Sequence, residues 1–343
     1  MEEKKRIGYI DAMRGITMIL VVFAHVELFS YGIGGNIIGK IFLTFRMPMF
    51  FFISGFLSYK WNSLWTSQFY TSRLKKKALI QLIPTLFFFH IYACIWHGNP
   101  WDTFFIRGPQ GYWFTIVLFE MFLIYYTVMF LCRYSSSKTS DIILIILSIF
   151  GVGIYLGGTK FYKLDAIPVL CLINLTRYFE FFVFGTFCKK YEKEIHAIIG
   201  KEYFKAFILI TFFVLFTLGY NNYIIKYSVL HVLNLEVFVR WAGFLCFYSI
   251  IYYYRNFFEK QNSLNKAIKF IGTRTLDIYL LHYFFIPNLK FLTPYFSNNQ
   301  NIPVELITTL IISLIIIALT LLISLTIRHS HFLGKYLLGA KYN

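Results

Sequence analysis

Apolar residues run through this chain in long blocks, not in the alternating or one-faced patterns of soluble strands and helices. Ten blocks stand out, at 12–31, 41–60, 78–96, 112–132, 141–157, 170–188, 205–221, 236–254, 271–289 and 303–327. Each approaches the roughly 20 mostly apolar residues that a helix needs to cross a bilayer. The fifth is short, and the sixth is interrupted by Pro168 and by polar residues as far as Arg177. Between blocks lie only loop-sized polar segments, with no repeat or low-complexity linker. The pattern predicts an all-α fold: one polytopic transmembrane helical bundle of about ten spans, a single domain over 1–343.

Composition strengthens this reading. Hydrophobic residues make up 58% of the 343 and charged residues 14%, against about 45–50% and about 25% in soluble domains. A soluble protein of this size has too little interior to hide the excess. The five cysteines (94, 132, 171, 188 and 246) show no CxxC spacing, which excludes a disulfide scaffold and a zinc-ligand pattern; no metal site is expected. Lys4-Lys5-Arg6 before an apolar run resembles a secretory leader, but no small-residue cleavage site follows. A retained first span is expected.

The net charge of +17 has a topological explanation that needs no nucleic acid. With the N-terminus in the cytoplasm, alternate segments hold 22 Lys and Arg inside and six outside, the six being Lys40, Arg107, Lys160, Lys163, Lys226 and Lys290. Such an asymmetry sets orientation, so both termini are expected in the cytoplasm and the chain in the cytoplasmic (inner) membrane. With Lys60 and Lys205, which end one block and begin another, counted among the inside segments, five basic residues remain within the blocks: Arg14, Arg46, Arg177, Arg240 and Arg274. All are Arg, although Lys outnumbers Arg 22 to 11. Arg offers a planar fork suited to carboxylates and phosphates, and charge within a bilayer is costly and commonly functional. Asp11 precedes Arg14 by three, Arg177 precedes Glu180 by three, Glu236 precedes Arg240 by four and Arg274 precedes Asp277 by three. Each spacing puts the pair on one helix face. Glu27 and Glu120 have no local partner. Two polar clusters at two depths suggest a path through the bundle, and a structural salt-bridge network has the same sequence signature.

Eleven positions separate Arg14 from His25, just over three helical turns, so both share a face about 16 Å apart. Arg14 then sits near the inner surface and His25 beyond the midplane, with Met18 and Val21 between them. Arg, ten residues, then His resembles the first-span signature of the acyltransferase-3 family of membrane acyltransferases. The lead-in Tyr9-Ile-Asp-Ala-Met-Arg-Gly is similar to that family's. So are Met47-Pro48-Met-Phe-Phe-Phe-Ile-Ser54-Gly55, Trp113-Phe114, and Gly272-x-x-Thr275-x-x-x-Tyr279-x-x-His282. The four matches occur in order and cover nearly the whole chain.

The resemblance implies transfer of an acyl group, commonly acetyl from acetyl-CoA as co-substrate with no bound cofactor, to a hydroxyl of an extracytoplasmic glycan or glycolipid. The short tail after the last block resembles the stand-alone type. His25 is then the expected base, since its pKa lies near working pH. Arg14 and Arg274 are expected at the CoA phosphates, Arg14 also at the catalytic centre. Arg46, Trp113, Glu120, Arg177, Glu180 and Arg240 are expected on the acceptor side. Asp11, Tyr279 and His282 complete the candidate set; for Trp113, Tyr279 and His282 a packing role is equally open. The rival class is a transporter or flippase moving an acyl or glycan-related substrate, with spans broken at Pro48 and Pro168 as gates.

Overall fold

The computed structural model describes residues 7–34, 36–60, 64–161, 167–220, 235–296 and 301–340. Lys4, Lys5, Arg6, Lys163, Lys226 and Lys341 of the charge count lie outside the described residues, as does the last position of the seventh block. All regular structure among the described residues is helical. The principal helices are α1 (Gly8–His25), α2 (Ile37–Ser58), α3 (Ser67–Trp96), α4 (Trp113–Leu131), α5 (Ser137–Phe161) and α6 (Leu172–Lys190). They continue as α7 (Glu202–Tyr220), α8 (Leu235–Tyr253), α9 (Ser263–Thr273), α10 (Thr275–Leu281), α11 (Ile302–His329) and α12 (His331–Leu338). Among the described residues nine helical stretches are long and apolar enough to cross a membrane, and they match nine of the ten expected blocks. This is a membrane protein built from apolar helices.

The block at 271–289 departs from expectation, because it is not one continuous helix. α9 stops at Thr273, Arg274 leaves helical geometry at φ −114° and ψ 18°, and its N–H closes a tighter turn onto Ile271. α10 then runs only to Leu281 before a 3₁₀ turn over His282–Phe285. Pro287 explains the second stop: its ring would clash with the carbonyl four residues back, and it biases Ile286 away from helical geometry. Pro168 also behaves differently from a break within a span. It opens a 3₁₀ turn over Pro168–Leu170, and Cys171 at φ 48° completes the corner before α6 begins.

Several helices have bounds different from their blocks, and two of these differences bear on the site and its surroundings. α3 begins eleven residues early, at Ser67, where the Thr66 hydroxyl accepts the Phe69 N–H at 3.1 Å. Its basic first turns are invisible to a hydropathy reading, which marks only the hydrocarbon part. α1 ends at His25 and passes into a π-helical turn over Val26–Tyr31, closed by Gly32 at φ 71°. π-turns widen a helix by one residue per turn and concentrate at functional sites.

The chain divides into two compact units. The first comprises Met1–Ile53, Tyr191–Ile278 and Phe285–Leu319; the second comprises Ser54–Lys190, Tyr279–Phe284 and Thr320–Asn343. In the first unit α1 packs on α9, and α7 on α8. The α7–α8 seam buries Ile208, Phe212 and Phe216 against Val239, Ala242 and Cys246. In the second unit α3 packs on α4, α5 on α6, and the terminal α12 on α3. Lipid tails compete for apolar side chains, so helices in a bilayer associate through close packing at small residues. Gly15 and Gly272 supply that contact between α1 and α9. A Cβ on Gly15 would lie 2.1 Å from the Ile268 carbonyl oxygen, and one on Gly272 would lie 1.9 Å from that of Asp11.

Candidate functional site

In the first unit, α1 is anchored at its start by a carboxylate. The Tyr9 N–H donates to Glu259 Oε1 at 3.2 Å, a negative charge at the positive end of the helix dipole. One turn further on, the close α1–α9 crossing brings two distant motifs together. Arg14 Nη2 donates to Thr275 Oγ1 at 2.9 Å, and Thr275 opens α10 directly after Arg274. Asp11 flanks Arg14 at 4.0 Å, and Asp277 flanks Arg274 at the same distance. Asp277 is buried, whereas the two guanidinium groups remain partly exposed. The result is a fixed pair of forked cations, each with its own carboxylate, next to a hydroxyl.

From Arg14 the helix runs without interruption to His25, and Met18 and Val21 between them are buried. The His25 ring packs against Phe29 at 5.5 Å between centroids and is half-buried, at the junction of α-helix and π-turn. Just beyond it lies a second polar group. Glu27 is buried, with Glu305 and Arg46 as its electrostatic neighbours and the Asn36 backbone as a hydrogen-bond partner. Gly39 makes room for it, since a Cβ there would sit 2.7 Å from Glu27 Oε2. Asn36 is fixed by capping α2, its Oδ1 accepting from Ile38 N–H at 2.8 Å and Gly39 N–H at 3.0 Å. Arg240 is almost fully buried on α8, its Nε donating to the Glu236 carbonyl at 3.3 Å and lying 3.9 Å from the Glu236 carboxylate.

In the second unit a ring of tyrosines joins the late motif to the start of α4. Tyr279 and Tyr283 both donate to the Gly111 carbonyl, at 2.9 and 3.1 Å, and Phe114 N–H donates to the Tyr279 hydroxyl at 3.2 Å. Tyr112 reaches back to the Leu280 carbonyl at 2.9 Å. A Cβ on Gly111 would fall 2.3 Å from the Tyr283 hydroxyl, so any larger residue would have to displace that ring. His282 is fully buried with its ring 4.0 Å from that of Tyr283. This lock fixes Trp113, whose ring lies parallel to Tyr178 at 6.0 Å. The Arg177 guanidinium covers the Tyr155 and Tyr178 rings at 5.4 and 5.6 Å. Glu180 is buried one turn further along α6. Seven residues beyond Trp113 on α4, Glu120 has a buried Oε2 with no hydrogen-bond partner among the described residues.

The candidate residues therefore fall into two sets. Asp11, Arg14, His25, Arg46, Arg240 and Arg274 belong to the first unit; Trp113, Glu120, Arg177, Glu180, Tyr279 and His282 belong to the second. Three residues were absent from the expected set: Thr275 as the partner of Arg14, Asn36, and Glu305. The signal for Glu305 was present, since it is the only acidic residue in the block 303–327.

The family described as an acyltransferase domain matches residues 7–329 of the chain. No curated protein and no solved structure matches the chain.

Proposed function

Since the chain belongs to the acyltransferase-3 family, we propose that it is a membrane O-acyltransferase moving acetyl from cytoplasmic acetyl-CoA to a hydroxyl of a cell-surface or lipid-linked glycan. Its place is then the cytoplasmic membrane. The observation that carries this reading is Arg14 and His25 on one uninterrupted helix, with Arg14 held to Thr275 beside Arg274. Arg14 and Arg274 present forked donors for the phosphates of CoA, and Asp11 and Asp277 hold those forks in register. In the transfer step the His25 imidazole takes the proton of the acceptor hydroxyl as its oxygen attacks the thioester carbonyl. The C–S bond breaks, CoA leaves as the thiolate, and the imidazolium returns its proton to that sulfur. For the acceptor, the first unit offers Arg46 and Arg240; the second, taken by itself, offers Arg177, Glu180 and Glu120, with Trp113 as an aromatic face beside Tyr178. Tyr279 holds the start of α4 through Gly111 and Phe114, and His282 packs behind it against Tyr283.

Labelled acetyl-CoA given to purified protein with membrane acceptors tests this directly. Arg14→Lys should raise the apparent KM for acetyl-CoA while keeping part of the turnover, because it retains the charge and loses the fork. Arg14→Ala should lose more. Equal activity in all three proteins would remove Arg14 from the donor site, and absence of any acyl transfer or hydrolysis by the native chain would favour a transporter.

Orientation has its own test. In a background without native cysteines, a single Cys at Asn99 should react with an impermeant thiol reagent in intact cells, whereas Cys at Ser136 or Gln261 should not. The opposite labelling pattern would exchange the donor and acceptor sides.

A further inference from the structure

α3 is 30 residues long, about 45 Å at 1.5 Å per residue, against a hydrocarbon core of about 30 Å. Its apolar run begins only at Ala78. The stretch Ser67–Lys77 therefore projects through the headgroup layer, and α12 lies against it. α12 leaves α11 at a sharp corner, where the Ser330 hydroxyl accepts the Leu333 N–H at 3.3 Å. It is closed by Gly339 at φ 58°. A Cβ on Gly339 would lie 2.8 Å from the Ile80 side chain, so this end of α12 is seated on α3. Arg328 ties the corner shut by donating to the Leu338 carbonyl at 3.3 Å.

Between the two helices is a groove of about 970 Å³. Lys75 and Lys76 line it from α3, and His331 and Lys335 from α12, with no acidic side chain among the described lining residues. Apolar side chains continue from the basic floor: Leu79 on the membrane side of α3, and Phe332 and Tyr336 on α12, all exposed. Concentrated positive charge beside exposed apolar surface, at the level where α3 enters the bilayer, complements a ligand that is anionic at one end and apolar at the other. A soluble phosphate ester would satisfy the lysines and leave Leu79 and Phe332 unmatched.

We propose that this groove is a binding site for an anionic phospholipid, with the headgroup phosphate among Lys75, Lys76 and Lys335 and the acyl chains descending along Leu79 and Phe332. By the charge count these residues face the cytoplasm, the leaflet in which basic juxtamembrane segments meet anionic lipid. The site is independent of acyl transfer: a chain inactive in the transferase assay would still bind lipid here.

Native mass spectrometry of the full chain in detergent, titrated with phosphatidylglycerol and separately with phosphatidylcholine, tests it. The native chain should prefer phosphatidylglycerol. The Lys75→Gln/Lys76→Gln/Lys335→Gln variant should lose about tenfold or more in that affinity, given what each basic side chain contributes at an anionic surface. Arg at the same three positions should restore it, and Lys193→Gln/Lys266→Gln, which lie outside the groove, should leave it unchanged. Equal phosphatidylglycerol affinity in the native and triple-Gln chains would overturn the proposal. So would displacement of phosphatidylglycerol by CoA, which would make the groove a site for soluble phosphates.

Discussion

Replacing His25 with Gln is expected to lower acyl transfer by about 10²–10⁴, the usual contribution of a positioned acid–base group, with little change in yield or detergent stability. The ring sits at the end of α1, half-buried and packed on Phe29. Gln keeps a polar group of similar size in that place but cannot take a proton near neutral pH. His282→Gln is the informative comparison. His282 is fully buried against Tyr283, so its replacement should lower stability and leave turnover per folded molecule nearly intact. If His25→Gln folds normally and keeps more than about half of its turnover, the base lies elsewhere. Glu120 would then be next, because it carries a buried carboxylate oxygen without a partner among the described residues on the helix that presents Trp113.

What the sequence disclosed, and what it withheld, follows from the range over which each interaction acts. Helical period alone foretold the pairs Asp11–Arg14, Glu236–Arg240 and Arg274–Asp277, which stand at 4.0, 3.9 and 4.0 Å. Among the described residues hydropathy located nine helices, because the bilayer sets a minimum apolar length that each must meet. At 271–289 it gave the apolar composition but not the breaks, since Pro287 and the turn at Arg274 divide the segment. Composition averages over a window, and the backbone responds to single residues. The contacts that assemble the site were beyond pattern reading altogether. Arg14 meets Thr275 across 261 positions, and Tyr279 meets Gly111 across 168. The family motifs contain Arg14, Thr275 and Tyr279, and Gly111 stands two residues before Trp113-Phe114, yet nothing in their spacing says that the first motif pairs with the last, or the tryptophan motif with the tyrosine. Glu27 has no partner within its own helix at helical spacing, and its neighbours Glu305 and Arg46 come from distant segments that no local period reveals.

The second large effect is expected at Gly272, where Ala should both destabilise the protein and lower acyl transfer by on the order of 10²-fold. A methyl there would sit 1.9 Å from the Asp11 carbonyl oxygen, more than 1 Å inside ordinary contact. Its neighbour is helix backbone, which cannot swing aside as a side chain does. α9 has to move away from α1, and overpacking of this kind typically costs about 1–3 kcal/mol. The same movement pulls Thr275 from Arg14, whose bond is 2.9 Å long, and displacements of about 1 Å at a reacting centre cost on the order of 10²-fold in rate. Gly15→Ala should behave alike, its Cβ lying 2.1 Å from the Ile268 carbonyl oxygen. Gly153→Ala on α5 supplies the control. Nothing lies within 4 Å of a Cβ at that position, so the better helix former should be neutral or stabilising by up to about 1 kcal/mol. Thermal unfolding in detergent and the KM for acetyl-CoA, measured on all three variants, separate the outcomes. Native stability with native KM in Gly272→Ala would mean that α1 and α9 do not approach so closely, and that Arg14 is held by something other than this crossing.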